Sequence, residues 1–213
     1  MMKGYNESYL NDAMRNLGDA VEYALCDLKL EPDTFFGYFI TSGIADQFGA
    51  GNPKYVVGMS GVELVESVLR AVNVSFESTP AYHTEFKGRE YWSGWIFAYY
   101  QWETGRRFRD IVSDGLTLSV VMSMYVLHEV DERKFVEEAN TIISRNQKNS
   151  KAKLAKIRKA RGFTQAELAE AAGITLRMVQ LYEQRRNDIN KAQVDTVLAL
   201  SKALGCGIED ILE

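Results

Sequence analysis

The sequence predicts an all-α protein built from two helical domains. Apolar residues recur with a spacing of three and four along most of its 213 residues, and only three prolines interrupt them. Residues 1–147, the first domain, contain 13 basic and 21 acidic residues, whereas residues 148–213, the second domain, contain 12 and 8. Because 22 of the 24 aromatic residues also lie in the first domain, we place the boundary in the polar stretch 145–151, which could be a flexible linker or a continuous helix.

Helical periodicity covers most of the first domain. Helices are predicted over residues 7–28, 32–49, 61–72, 91–102, 110–128 and 131–145, with a loop or short strand over 74–87. Pro32 opens the second of these helices, and Ser60 with Glu63 forms a capping box for the third. The helix at 91–102 is apolar on all sides, which predicts a central buried helix in which Gly94 permits close packing; an aromatic ligand pocket or partner groove is the alternative.

Sequence motifs that carry chemistry are missing from the chain. Cys26 and Cys206 stand far apart, and His83 and His128 are isolated, so we expect no disulfide, no metal site and no cofactor. No phosphate-binding loop or nucleophile motif occurs, so we expect no catalytic residue. The apolar runs are far shorter than about 18 residues, and the first ten residues do not resemble a signal peptide, which predicts a cytoplasmic protein without a membrane span.

Five short helices are predicted in the second domain. The first ends at Gly162, which takes the left-handed position after a helix. Thr164 and Glu167 form a capping box that opens the second helix, and Gly173 permits a sharp turn before the third, which Thr175 caps. The third helix reaches about residue 184, the fourth covers 194–204, and the last covers 208–212. Two short helices joined by a glycine turn are typical of a helix-turn-helix layout.

An ordered series of residues in the second domain carries a family resemblance. The series consists of Gly162-Phe163-Thr164-Gln165-Ala166-Glu167-Leu168-Ala169, Gly173-Ile174-Thr175, Val179, Tyr182-Glu183 and Leu200-Ser201-Lys202-Ala203-Leu204-Gly205. It closely resembles the Cro/C1-type (XRE) repressor family. The resemblance implies a five-helix lambda-repressor-like helix-turn-helix domain over residues 148–213, whose third helix enters the major groove of DNA.

The resemblance also implies which residues of the third helix contact bases. The family's base-contacting positions correspond to Thr175, Leu176, Arg177 and Leu181, and we expect Gln180 to face outward beside them. Arg177 can bond the edge of a guanine through two hydrogen bonds, whereas the two leucines suit thymine methyl groups or packing.

Other residues of the second domain are predicted to hold the DNA backbone or support the third helix. Gln165 corresponds to a family glutamine that bonds a phosphate and braces the third helix. Further phosphate contacts are predicted for residues that follow this helix: Arg185, Arg186, Asn187 and Lys191. Val179 and Tyr182 are expected to face inward onto Leu168 and Leu198, and Glu183 is expected to pair with a neighbouring base or backbone amide.

The family implies a sequence-specific DNA-binding transcription regulator, in this case a repressor, with double-stranded DNA as its partner. Because the chain has one such domain and members of the family pair, we predict a homodimer held mainly through residues 1–147 on an inverted repeat. The first domain could also sense a small-molecule effector. Its stretches 51–64 and 91–102 faintly resemble regions fused to such domains in bacterial toxin–antitoxin loci, so an antitoxin that neutralises a partner toxin is the alternative. An enzyme tethered to DNA is less favoured, since no catalytic constellation is present.

Overall fold

The computed structural model describes residues 3–80, 87–149 and 152–213, and it divides the chain into two compact units, Met1–Asn146 and Gln147–Glu213. All regular secondary structure in these described residues is helical, which confirms the all-α fold class. Predictions that involve His83, or residues 150–151 of the polar stretch, lie outside the described residues. None of the described helices combines the length and the apolar character needed to cross a membrane.

Nine α-helices belong to the described part of the first unit or begin in it. They are α1 (Leu10–Glu22), α2 (Pro32–Thr41), α3 (Ile44–Gly49), α4 (Pro53–Val56), α5 (Gly61–Ala71), α6 (Arg89–Thr104), α7 (Phe108–Ser113), α8 (Leu118–Ser123) and α9 (Glu132–Asn149). A π-helical turn extends α1 to Asp27, and the capping box of Ser60 and Glu63 opens α5 as predicted. Residues 74–80 have no regular structure, and residues 81–86 of the predicted loop lie outside the described residues.

Helices α1 and α6 form the centre of the first unit and run antiparallel. Lys87, just before α6, bonds Asp19 late in α1, whereas the Trp102 indole near the end of α6 donates to the carbonyl of Tyr5 before α1. Gly94 allows the two helices to touch, since a Cβ atom at this position would lie 2.3 Å from the backbone oxygen of Leu17. The predicted role of Gly94 in close packing is therefore confirmed.

The aromatic residues of the first unit fill its own core. Phe36 stacks on Phe97 of α6 with ring centroids 4.8 Å apart, and Phe108 meets both rings edge to face. Trp92 and Tyr100 are also buried, so α6 is the central helix that its composition predicted. Each buried ring stabilises the fold through the apolar area that it removes from water and through its edge-to-face or stacked contacts. These aromatic residues therefore pack the core of the unit.

Two predicted helices of the first unit are broken in the structure. The prediction of one helix from Pro32 to Gly49 was wrong, because Gly43 adopts a left-handed conformation with φ of 76° and separates α2 from α3. The prediction of one helix over 110–128 was wrong as well. Gly115, with φ of 91°, separates α7 from α8, and a 3₁₀ turn, Tyr125–Glu129, follows α8. Apolar residues keep their helical spacing across Gly43 and Gly115, so the sequence pattern did not reveal that the helices end there.

The second unit contains five α-helices around a core of its own. They are α10 (Lys153–Ala160), α11 (Gln165–Ala171), α12 (Leu176–Glu183), α13 (Val194–Leu204) and α14 (Ile208–Ile211), with a 3₁₀ turn at Ile189–Lys191. Gly162, Gly173 and Gly205 all have positive φ and lie just beyond the ends of α10, α11 and α13. The core is mainly aliphatic, with Leu168 and Leu200 fully buried and Tyr182 as its one buried aromatic residue among the described residues.

The contact at Gly94 generates a test of the first unit. We expect Gly94→Ala to lower its free energy of unfolding by about 3 kcal/mol or more, because the added methyl group overlaps a backbone atom that cannot move aside cheaply. Gly37→Ala is the matched control: Gly37 lies in α2 with no atom within 4 Å of the added Cβ, so we expect a gain of about 0.5–1 kcal/mol. Tryptophan fluorescence in urea reports on this unit alone, since all three tryptophans lie in α6. Equal effects at the two glycines would contradict the argument.

Candidate nucleic-acid interface

Helices α11 and α12 are joined by a tight turn that fixes the angle between them. Gly173 takes the left-handed conformation with φ of 65°, and the amide of Ile174 bonds the carbonyl of Ala169 at 3.0 Å, which satisfies the end of α11. The Thr175 hydroxyl then accepts a hydrogen bond from the backbone amide of Met178 at 3.2 Å and caps the N-terminus of α12. The two helices therefore meet in a defined geometry set by one glycine and one cap.

Helix α12 has one buried face and one open face. Val179 and Tyr182 are buried, as predicted. On the other side Arg177 is exposed, Leu176 keeps 42% of its surface accessible, and Gln180 is half-buried. Thr175 is exposed at the start of the helix and Leu181 is half-buried, so the structure brings the five predicted base-contacting residues together along one helix: Thr175, Leu176, Arg177, Gln180 and Leu181.

A buried ion pair holds the end of α12 against α10. Arg158 binds Glu183 through two hydrogen bonds, from Nε to Oε1 at 2.6 Å and from Nη2 to Oε2 at 3.0 Å. The two side chains are 8% and 6% exposed. Arg158 also donates from Nη1 to the carbonyl of Phe163, just before α11. The guanidinium group thus ties three segments together. Of the two kinds of partner predicted for Glu183, a basic residue or a backbone amide, the structure shows a basic residue, Arg158, from a different helix.

Gln165 joins the same network from the first turn of α11. Its side-chain Nε2 donates to Oε2 of Glu183 at 2.7 Å, so the start of α11 and the end of α12 share one carboxylate. This contact is the bracing role predicted for Gln165. Its phosphate contact stays a prediction.

The residues after α12 differ in how available their side chains are. Arg186 and Asn187 are exposed, and the Lys191 side chain is 85% exposed. Arg185 adopts a left-handed conformation with φ of 54° and donates to Glu213 at 2.6 Å, so its charge is engaged within the domain. To reach DNA, Arg185 would have to give up this half-buried ion pair, and Lys191 a longer, exposed one with Asp188 at 3.6 Å.

Charge is unevenly distributed within the second unit. Residues 148–191, which include α10 to α12, contain 11 basic and 4 acidic residues, whereas residues 192–213 contain 1 and 4.

The hydrogen bonds to Glu183 raise the pKa of Arg158 above its usual value, and the backbone amide of Thr164 lowers the pKa of the Glu167 carboxylate in the capping box. The Arg158 guanidinium and the Glu167 carboxylate therefore keep their charges at neutral pH. The excess of basic residues lies in the part of the sequence that contains α12.

One predicted core contact of α12 is wrong, and two residues of the site were missed. Leu198 was expected to pack under Val179, but it keeps 36% of its surface exposed, and α13 instead presents Val197, Leu200 and the small Ser201 to the core. Arg158, whose ion pair holds the end of α12, was not among the predicted site residues. A charged residue in a stripe of apolar ones, with one acidic residue in the third helix, was the signal that could have found it. Glu213, which bonds Arg185, gave no signal.

The second unit matches a known family. Residues 154–211 match the family model described as helix-turn-helix. They are a helix-turn-helix domain of the XRE type. The match covers 58 of the 213 residues and supports a DNA-binding transcription regulator. No curated protein and no solved structure matches the chain at a significant level.

Metal ligands are not grouped in the part of the chain that the structure describes. No set of three or more His, Cys, Asp or Glu residues is arranged there to hold an ion.

The buried ion pair generates a prediction about the stability of the helix-turn-helix domain. We expect Arg158→Met to lower the opening free energy of α12 amides by about 3–5 kcal/mol, because it leaves the Glu183 carboxylate buried without its partner. Arg158→Met with Glu183→Gln should recover most of this loss. Hydrogen exchange of the amides of residues 176–183 measures both, and Lys156→Met, at an exposed position of the same helix, is the control. If the double variant were no better than the single one, lost packing rather than lost charge would explain the effect.

Proposed function

We propose that this protein is a sequence-specific transcription regulator that reads the DNA major groove with α12. The observation that carries the proposal is the open face of α12 in the helix-turn-helix domain, with Arg177 and Leu176 exposed opposite buried Val179 and Tyr182. The major groove of B-DNA is about 12 Å wide, and an α-helix with its side chains is about 10–12 Å across, so one helix fits it.

Arg177 is the residue that we propose to select a base. A guanidinium group can donate two hydrogen bonds to O6 and N7 of guanine, and no other base pair offers that pair of acceptors. Leu176 would lie against a thymine methyl group in the same groove. Thr175, Gln180 and Leu181 complete the set of base-reading residues. Thr175 lies at the N-terminus of α12, where the backbone amides of the helix are exposed.

The flanking cations supply affinity without sequence preference. The cations Arg186 and Lys191 and the uncharged Asn187 lie between α12 and the end of the 3₁₀ turn Ile189–Lys191, and all three are exposed, so they can reach the phosphates on one side of the groove. Gln165 lies at the start of α11 and can reach a phosphate there while its amide nitrogen holds Glu183. Arg185 joins this set only if DNA displaces Glu213. We propose repression as the outcome, because a protein bound across a promoter excludes polymerase without any further contact.

Arg177 and Arg186 give opposite predictions for DNA binding. Sites would first be selected from random duplexes with the full-length protein. Arg177→Ala should then lose about 1–3 kcal/mol on the selected site and relax preference at one base pair of each half-site. Arg186→Ala should weaken selected and unselected DNA about equally and reduce the slope of log affinity against log salt by about 1. Fluorescence anisotropy at several salt concentrations measures both, and unchanged base preference in Arg177→Ala would remove α12 as the reading helix.

We also propose that the protein is a homodimer held mainly through residues 1–147. Large apolar side chains remain exposed among the described residues of the first unit, notably Val126 at 78% and Val130 at 49%. This exposed surface is aliphatic and lies beside the start of α9, whereas the large rings of Phe36, Phe97 and Phe108 are buried in the unit itself.

The dimer is tested by its mass in solution. Multi-angle light scattering on the full-length protein should give about twice the chain mass of 24.1 kDa, and a 148–213 fragment at the same concentration should give a monomer. A full-length monomer at concentrations that saturate DNA would contradict the proposal. It would favour the alternative, in which residues 1–147 bind a different protein such as a toxin. A dimeric fragment would move the interface to the helix-turn-helix domain.

A further inference from the structure

Glu213 is bound to the rest of the second unit at three separate points. Its carboxylate oxygen Oε1 accepts a hydrogen bond from the backbone amide of Lys153, at the start of α10, at 2.9 Å. Its own backbone amide donates to Oδ1 of Asn190, in the 3₁₀ turn after α12, at 3.1 Å. The second carboxylate oxygen, Oε2, accepts from Nη2 of Arg185 at 2.6 Å. Glu213 therefore joins the start of α10 to the segment that follows α12.

Two of these three contacts do not involve Arg185. The amide of Lys153 and the side chain of Asn190 would still hold Glu213 if the guanidinium group moved away. The carboxylate would then remain close to Arg185 at a high effective concentration. The ion pair is only partly buried, with 26% of the Arg185 side chain and 25% of the Glu213 side chain exposed. An anion from outside the domain can therefore reach the guanidinium group and exchange with the carboxylate.

A carboxylate and a phosphate are alternative partners for the same guanidinium group. Both present oxygen atoms that accept hydrogen bonds from its N–H groups. Arg185 lies just after α12, next to exposed Arg186 and Asn187, for which phosphate contacts are proposed. Glu213 thus makes, from within the domain, the kind of contact that a DNA phosphate would make with Arg185.

We propose that Glu213 is a built-in competitor for DNA phosphate at Arg185, and that it limits the affinity of the helix-turn-helix domain for DNA. This inference rests on the proposed function, because it concerns the same DNA-binding surface. On DNA, Arg185 either stays with Glu213 and makes no phosphate contact, or exchanges one anion for another, so its net contribution to affinity is small. Because a phosphate contact carries no sequence information, the competitor lowers binding to selected and unselected DNA alike.

Removal of the carboxylate charge in the full-length protein tests the competition on an unselected duplex. Glu213→Gln keeps an oxygen that can accept from the amide of Lys153. We expect this variant to bind about fivefold more tightly, the upper end of what a partly exposed ion pair contributes. The slope of log affinity against log salt should steepen by about 0.9, because Arg185 then neutralises one more phosphate. Fluorescence anisotropy at several salt concentrations measures both quantities.

A second variant separates competition at Arg185 from a general change of charge. In an Arg185→Met background, Glu213→Gln should raise the affinity less than about twofold, because no guanidinium group is left to release and exposed charges are screened by salt. Glu209→Gln removes the same charge from an exposed position on α14, and it should also have an effect of less than about twofold. A gain of equal size with and without Arg185 would overturn the proposal. Unchanged or weaker binding by Glu213→Gln would overturn it as well, because Glu213 would then only support the fold.

The unselected duplex keeps this test separate from the test of the proposed function, because phosphate contacts need no particular sequence. If the wild-type protein binds duplex DNA but selects no sequence, the sequence-specific regulator is wrong, whereas a gain that depends on Arg185 still supports the competitor. If the wild-type protein selects half-sites and Glu213→Gln binds as the wild type does, only the competitor is wrong. A wild-type protein with no measurable affinity for DNA would contradict both.

Discussion

The helix-turn-helix domain depends on one buried carboxylate. Glu183 receives hydrogen bonds from Arg158 on α10 and from Gln165 on α11, while itself ending α12. Three helices therefore share one charge, and none of them can rotate without leaving that charge unpaired in a place that water does not reach. The position of the open face of α12 follows from this constraint, because the buried end of the helix determines which side of the other end points outward.

Much of this arrangement could be predicted from local signals. Capping boxes at Ser60 and Thr164, and the glycines that follow helices, act within a few residues of the chain, so the sequence alone specifies them. The ion pair of Arg158 with Glu183 could not be predicted with the same ease, since it joins residues 25 positions apart and depends on how α10 packs. Arg158 stands among apolar residues in the sequence, but no local pattern identifies Glu183 as its partner.

The face of α13 shows a second limit of sequence patterns. Apolar residues at 194, 197, 198, 200 and 204 cover a wide arc, and spacing alone does not say which part of the arc meets the core. In the structure the buried part of the arc includes Ser201, which is 3% exposed and whose hydroxyl donates to the carbonyl of Leu198 in the preceding turn. The core face therefore rotates toward Ser201, and Leu198 moves to the margin. A prediction from apolar spacing assigns polar residues to the exposed side of a helix. It therefore places Ser201 outside the core, although the structure buries it.

The antiparallel contact of α1 and α6 has a consequence for how the two units fold. It joins residues as far apart as Tyr5 and Trp102, 97 positions along the chain, whereas the network around Glu183 spans 25. Long-range contacts form slowly because a large loop must close before they contribute, and helical domains with local contacts fold fastest. The second unit should therefore acquire its structure well before the first in a refolding experiment, with tryptophan fluorescence reporting the slower event. After dilution from denaturant, the chain would then possess its DNA-binding domain while most of its aromatic residues are still exposed to solvent.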